Sequence, residues 1–281
     1  MATAPSKPTT PVKKESSGNS GAFASLVIPI CFVIAVCIFI FVLGDASHYK
    51  GGNPEAEPTD YFGTVHKGGP IVPVLMTMFL MVIVFSIERF VVIGKASGTG
   101  NVDAFVRKIN AFLNQGNIDA ASSECDKQKG SVANVIKSGL KKYREMELEP
   151  NLDVDQKTLA IQKDIEEATA LEMPMLEQNL TIIATLVSVG TLIGLLGTVT
   201  GMIKAFQALA TSGASSSTEL ATGISEALIN TALGILTSAI SIIMYNLFTS
   251  KIDKLTYAID ETGFSIVQTF AASHKNKERG Y

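Results

Sequence analysis

Glu226, Asn230, Thr231, Thr237 and Ser241 are the residues whose types and spacing could do chemistry in this sequence. Glu226, Asn230, Gly234, Thr237 and Ser241 follow at steps of four, four, three and four, which puts them on one face of a helix. Thr231 and Ser238 lie beside that face, seven residues apart. The surrounding segment, Thr222 to Phe248, is otherwise apolar and long enough to cross a bilayer, for which about 20 residues suffice. A charged side chain inside such a helix costs roughly 3 kcal/mol on insertion scales. Three readings of Glu226 fit. It hydrogen-bonds between helices and does nothing else, it is a carboxylate favoured near a helix N-terminus, or it lines an ion path. Periodicity leaves them open, although only the ion path uses the whole stripe.

The elements that must position this stripe are membrane helices. Mean hydropathy is +0.30, and charged residues make up only 17% of the chain, against about 25% in soluble domains. A net charge of −3, with no basic stripe interleaved with aromatics, excludes nucleic acid as a partner. Cys31 and Cys37 fall in an apolar run and Cys125 in a polar one, which is no disulfide framework and no zinc pattern. His48, His66 and His274 lie in polar segments far apart, so no metal ligand set is expected. No nucleophile–base set or phosphate loop occurs, so neither an enzyme nor a cofactor is expected.

In chain order, residues 1–21 read as a disordered tail rich in Ser, Thr, Pro and Lys. Residues 22–43 are a first span, too long for the 7–15-residue core of a cleaved signal peptide. Residues 44–69 are a polar loop punctuated by Gly and Pro, and residues 70–94 are a second span ending in Glu88-Arg89. That pair reads as an interfacial anchor with Arg89 snorkelling to the headgroups. Residues 95–179 turn soluble in character, with amphipathic stripes such as Val102, Phe105, Val106, Ile109, Phe112 and Leu113. An acidic loop is expected from Met146 to Asp155. Gln156 to Leu180 is expected to be helical and to continue directly into the third span, 180–209.

The third span carries two Gly-x-x-x-Gly pairs, Gly190/Gly194 and Gly197/Gly201, which allow close helix packing. It also carries hydroxyls at Thr181, Thr185, Ser188, Thr191 and Thr198. Lys204 lies near its end. Snorkelling is the default reading of Lys204, with pairing to Glu226 as the alternative. A turn at 210–221, the fourth span at 222–248 and a basic tail at 249–281 complete the chain. Three Lys/Arg precede the first span, two lie in 44–69, none in 210–221, eleven in 95–179 and five in the tail. This asymmetry places both termini and the large polar segment in the cytoplasm, and the 44–69 loop and 210–221 turn in the periplasm. The expected fold is all-α: a polytopic membrane protein with four transmembrane helices and a cytoplasmic helical bundle extending them.

Three blocks in order carry a resemblance: Gly194-Leu195-Leu196-Gly197-Thr198-Val199-Thr200-Gly201-Met202, then Gly223-Ile224-Ser225-Glu226-Ala227-Leu228 with Thr231-Ala232 and Gly234, then Tyr245-Asn246-Leu247-Phe248. With Glu88-Arg89 they resemble the MotA/TolQ/ExbB proton-channel family, nearest its ExbB and TolQ branch, over roughly Gly69 to Phe248. The resemblance implies a multi-pass subunit of the bacterial cytoplasmic (inner) membrane, typically a homopentamer. Such a pentamer encloses an ExbD- or TolR-like single-span dimer and drives a TonB-like or TolA-like protein. It implies that Glu226 is the pore glutamate and that Thr198 and Thr231 are the pore-lining threonines. Asn230, Thr237, Ser241 and Thr191 are further candidates along the pore. The first span is additional to the family's three-helix core, and Thr191 stands where the family commonly has a proline, so a kink there is not implied. The expected function is an ExbB-like subunit that uses the proton-motive force to energise a TonB-like protein for outer-membrane transport. The alternatives are a TolQ-like or MotA-like stator of another proton-driven machine and a non-conducting membrane scaffold.

Overall fold

The computed structural model describes residues 19–53, 56–212 and 217–278; the tail expected at the N-terminus lies outside them up to residue 18. Helix dominates. α1 runs Asn19–Cys37 with a π-helical extension Ile38–Leu43, and α2 is a short helix, Tyr61–His66. α3 (Val72–Ala96), α4 (Val102–Asn114), α5 (Ile118–Gln128), α6 (Gly130–Leu148) and α7 (Val154–Glu177) follow. α8 (Leu180–Ser212) and α9 (Ser217–Glu278) complete the described chain. Among the described residues the only β pairing is an isolated bridge between Tyr49 and Pro58. The fold is an all-α, multi-pass membrane protein: among the described residues four helices are long and apolar enough to span a bilayer, in α1, α3, α8 and the first part of α9.

α1 is apolar on all sides, as a lipid-facing helix must be. It buries Val27, Cys31 and Ala35 and exposes Leu26, Phe32, Val33 and Phe41. It packs on α3, where the Phe23 and Phe85 rings meet edge to face at 6.2 Å. α8 and α9 form the most extensive helix pair because small residues let their backbones touch. A methyl added at Gly194 would lie 3.1 Å from Gly234 Cα, and one added at Gly223 would lie 2.9 Å from Gly201 O.

The polar domain is a bundle of α4 to α7 around the second half of α9. Asn101 starts α4 by accepting from the backbone N–H groups of Asp103 and Ala104, and Asp153 with Gln156 closes a capping box on α7. Phe105, Ile109 and Leu113 bury the apolar stripe of α4. Tyr143 meets Phe270 of α9 edge to face at 4.9 Å. α9 is a single helix of 62 residues, about 90 Å at 1.5 Å per residue. It crosses the membrane and then forms one wall of the polar bundle.

Four expectations need correcting. The segment 44–69 is not merely a punctuated loop but a folded cap. Asp60 N-caps α2, His48 Nδ1 bonds Asp60 Oδ2 at 2.6 Å and Tyr49 Oη bonds His66 Nδ1 at 2.5 Å. Leu43, Val65 and Val72 form a small core beneath it, against which Ile229 and Leu233 of α9 pack. α6 continues to Leu148, which shortens the acidic loop. α7 does not run into α8: the chain breaks at Gln178–Asn179, where Asn179 takes φ 61°. Pro174 lies in the last turn of α7 and has no N–H to give the helix.

The fourth correction explains how that break is held. Arg89 does not snorkel but is 1% exposed. Its Nη1 donates to the carbonyls of Met175 and Leu176 at 3.0 and 3.1 Å, two acceptors that the end of α7 leaves without helical donors. Its Nε donates to Glu88 Oε2 at 2.6 Å, and Nη2 pairs with Glu88 Oε1. The guanidinium is thus satisfied inside the protein rather than at the headgroups.

Candidate functional site

Glu226 lies near the start of α9, 6% exposed. Lys204 Nζ, on α8, donates to Glu226 Oε1 at 2.7 Å. The default reading of Lys204 therefore gives way to its alternative: the side chain turns back to the carboxylate, although 53% of its surface stays exposed. A buried carboxylate without a counter-charge is strongly disfavoured, so the nearest reachable cation is drawn to it. The cap closes over the same point. Gly68 and Gly69 form its last turn, with Gly69 at φ +80°, and the Glu226 carboxylate occupies the space a Gly69 side chain would need.

Asn230, one turn deeper, is fully buried. Its Nδ2 donates to Gly68 O at 2.9 Å, and that bond fixes which end of the amide is nitrogen. Its Oδ1 is buried with no hydrogen-bond partner among the described residues. Thr237 and Ser241 continue the face, and both are buried. Their hydroxyls donate to Leu233 O and Thr237 O, each at 2.8 Å.

The neighbouring edge of α9 faces α8. The Thr198 and Thr231 hydroxyls are in direct contact, and Thr231 Oγ1 also reaches Ala227 O at 3.2 Å. Two turns deeper, Thr191 Oγ1 donates to Ser238 Oγ at 2.8 Å. Thr198 and Thr231 are half-buried, and Thr198 opens onto a groove along α8 lined by Val199, Met202, Ile203, Phe206 and Gln207.

The residues singled out by sequence thus fall into two sets. Thr191, Thr198 and Thr231 meet at the α8–α9 seam. Glu226, Asn230, Thr237 and Ser241 sit inside the single chain, with the cap covering the first two. Sequence reasoning missed the Gly68-Gly69 turn; the glycine pair immediately before Pro70 was the available signal. Among the described residues no three His, Cys, Asp or Glu side chains converge as a metal site.

As a unit, the arrangement offers a buried acid with its own cation at one end, an unsatisfied acceptor next to it, and hydroxyls in pairs below. Hydroxyls can both donate and accept, so such a series can pass a proton between water molecules. Residues 127–261 match the model of the MotA/TolQ/ExbB proton channel family. That stretch contains every residue of the candidate site except the cap turn. No curated protein matches the chain.

Proposed function

We propose that this chain, which belongs to the MotA/TolQ/ExbB proton channel family, is an ExbB-like subunit of an inner-membrane proton-driven motor. In this reading it assembles with copies of itself, as a pentamer, around a single-span ExbD- or TolR-like pair. Proton flow energises a TonB-like protein, and the polar domain with both termini lies in the cytoplasm. Each proton crossing supplies roughly 2.3 kcal/mol per 100 mV, which suits repeated small steps. Thr198 and Thr231 hold water at the edge of the path, and Glu226 sets its charge at the outer end.

The observation that carries the reading is the contact between the Thr198 and Thr231 hydroxyls. It lies within the family-matched stretch, beside an open groove, one to two turns below the buried Glu226. Glu226→Gln and Glu226→Ala in cells that depend on the complex are the test. Both are expected to lose energisation, and wild-type energisation in both would overturn the pore role.

One observation favours a second reading, a non-conducting scaffold. The hydroxyls of Thr237 and Ser241 are spent on their own helix, and Thr191 is spent on Ser238, as packing alone would require. The scaffold predicts that Thr198→Ala and Thr231→Ala lower the yield of complex. The channel predicts that they lower proton uptake at unchanged yield.

A further inference from the structure

We propose that Lys204 is the residue that sets cation selectivity at the outer end of the path, by occupying the Glu226 carboxylate with a tethered ammonium and so denying it to sodium. This rests on the channel reading for its function, but the site it describes can be tested apart from it. The argument starts from the charge. Glu226 is buried to 6% exposure, and an acid so placed stays ionised only beside a counter-cation. Either the chain supplies one or the solution does.

The chain supplies it. Lys204 Nζ is 2.7 Å from Glu226 Oε1, and an ammonium held there neutralises the carboxylate and repels a metal ion from it. Lys204 achieves this from the adjacent helix with half of its own surface outside, so its cost of burial is small while the charge it delivers is fixed. One unpaired oxygen lies near the carboxylate, the kind of ligand a hard cation takes. Asn230 Oδ1, on the same helical face one turn away, is buried with no donor among the described residues. The Gly68–Gly69 turn brings backbone against the acid with no side chain between them. Removing the ammonium would leave a buried carboxylate and an unpaired amide oxygen one helical turn apart beneath the cap, oxygen groups that suit a small hard cation. With Lys204 in place the same end is neutral, and a proton crosses on water and hydroxyls without a metal ion competing for the acid.

The direct test is the salt dependence of thermal unfolding for the purified complex carrying the full chain, in sodium chloride and in choline chloride of equal ionic strength. A ligand that binds only the folded state raises its midpoint. The wild type is expected to unfold at the same temperature in both salts, whereas Lys204→Gln is stabilised by sodium. Lys204→Met, which keeps the apolar stem, serves the same purpose should Gln not assemble. Lys204→Arg is expected to restore insensitivity to sodium, and the double variant Lys204→Gln with Glu226→Gln to abolish the sodium effect. A Lys204→Gln or Lys204→Met complex that unfolds identically in both salts overturns the proposal, as does one whose sodium effect survives Glu226→Gln. The second arm is potential-driven proton uptake in proteoliposomes. Sodium should reduce uptake several-fold in Lys204→Gln and leave the wild type unaffected. Absence of uptake in the wild type, together with sodium stabilisation of Lys204→Gln, overturns the channel reading and upholds the site.

Discussion

Arg89 and Leu176 are joined across the junction between the polar domain and the membrane helices. Nη1 of Arg89 donates to the Leu176 carbonyl at 3.1 Å, and the same nitrogen reaches Met175 O at 3.0 Å. Asn179, in the break between α7 and α8, donates to Glu88 Oε2 at 3.4 Å. One guanidinium on α3 therefore holds the end of α7, and its carboxylate partner holds the link to α8.

Removing that guanidinium strands two carbonyls and leaves Glu88 without its partner. Breaking one side of a buried ion pair typically costs 3–5 kcal/mol. Glu88 keeps some solvent, its side chain being 21% exposed, so Arg89→Met is expected to destabilise by about 3 kcal/mol. Thermal unfolding of the purified chain measures this. Arg89→Lys keeps the charge but cannot bridge both carbonyls and Glu88 at once, and should fall between the two.

The α8–α9 seam makes a sharper contrast. A methyl at Gly234 would lie 2.8 Å from Gly194 Cα, backbone against backbone. Gly234→Ala must push the helices apart, an overpacking cost of about 1–3 kcal/mol. Gly94 is also helical, but a methyl there meets nothing within 4 Å. Gly94→Ala is expected to be neutral or to stabilise by up to about 1 kcal/mol, since alanine loses less chain entropy than glycine in a helix. Equal effects of the two substitutions on the unfolding midpoint would show that the seam is not tightly packed.

Acid should loosen the cap through His66. Burial pushes the His66 imidazole below its ordinary value of 6.5, and the neighbouring Lys67 charge acts in the same direction. The ring lies tilted against Phe39 at 4.5 Å and meets Tyr49 Oη. A histidine held neutral in the folded state binds fewer protons than in the unfolded chain. Its contribution is therefore full above pH 6.5 and is lost as pH falls through the depressed folded value. The protection of residues 61–69 against hydrogen exchange, taken relative to the intrinsic exchange rate at each pH, should fall on going from neutral to mildly acidic pH. In His66→Gln the pH dependence should shrink, and an undiminished dependence would place its origin elsewhere.

Cys125 gives a probe of the polar domain. Burial pushes its thiol up to about 12, so almost no reactive thiolate exists at neutral pH. A membrane-permeant maleimide should spare Cys125 until the α4–α6 bundle unfolds. Mass spectrometry of the labelled protein reads this directly. Prompt modification of Cys125 in the folded chain would contradict its burial, at 2% exposure.

Much of the membrane part was legible because lipid imposes simple rules. The glycines of α8 and α9 announce a close seam, and the spacing from Glu226 to Ser241 announces a shared face. Arg89 and Lys204 were misjudged for one reason: a long basic side chain near a span end has the same sequence signature whether it reaches out to headgroups or back to a partner. Only the third dimension supplies the Leu176 carbonyl or the Glu226 carboxylate. The cap was hidden by its own turn residues, since Gly51, Gly52, Pro54 and Pro58 obscure the pairing of Tyr49 with His66. The break at Asn179 was hidden by apolar residues on both sides. The division of the stripe between seam and interior was also out of reach, because it depends on where α3 and the cap dock.

α9 has no proline and no break from Glu226 to Phe270, a stretch of about 66 Å. Sharp bends in helices need such an interruption, so the two ends keep one angular register. A few degrees of roll imposed where Lys204 grips Glu226 is the same roll where Phe270 meets Tyr143. With no joint along the way, a rotation imposed on α9 at the membrane end would be passed to the polar bundle rather than lost.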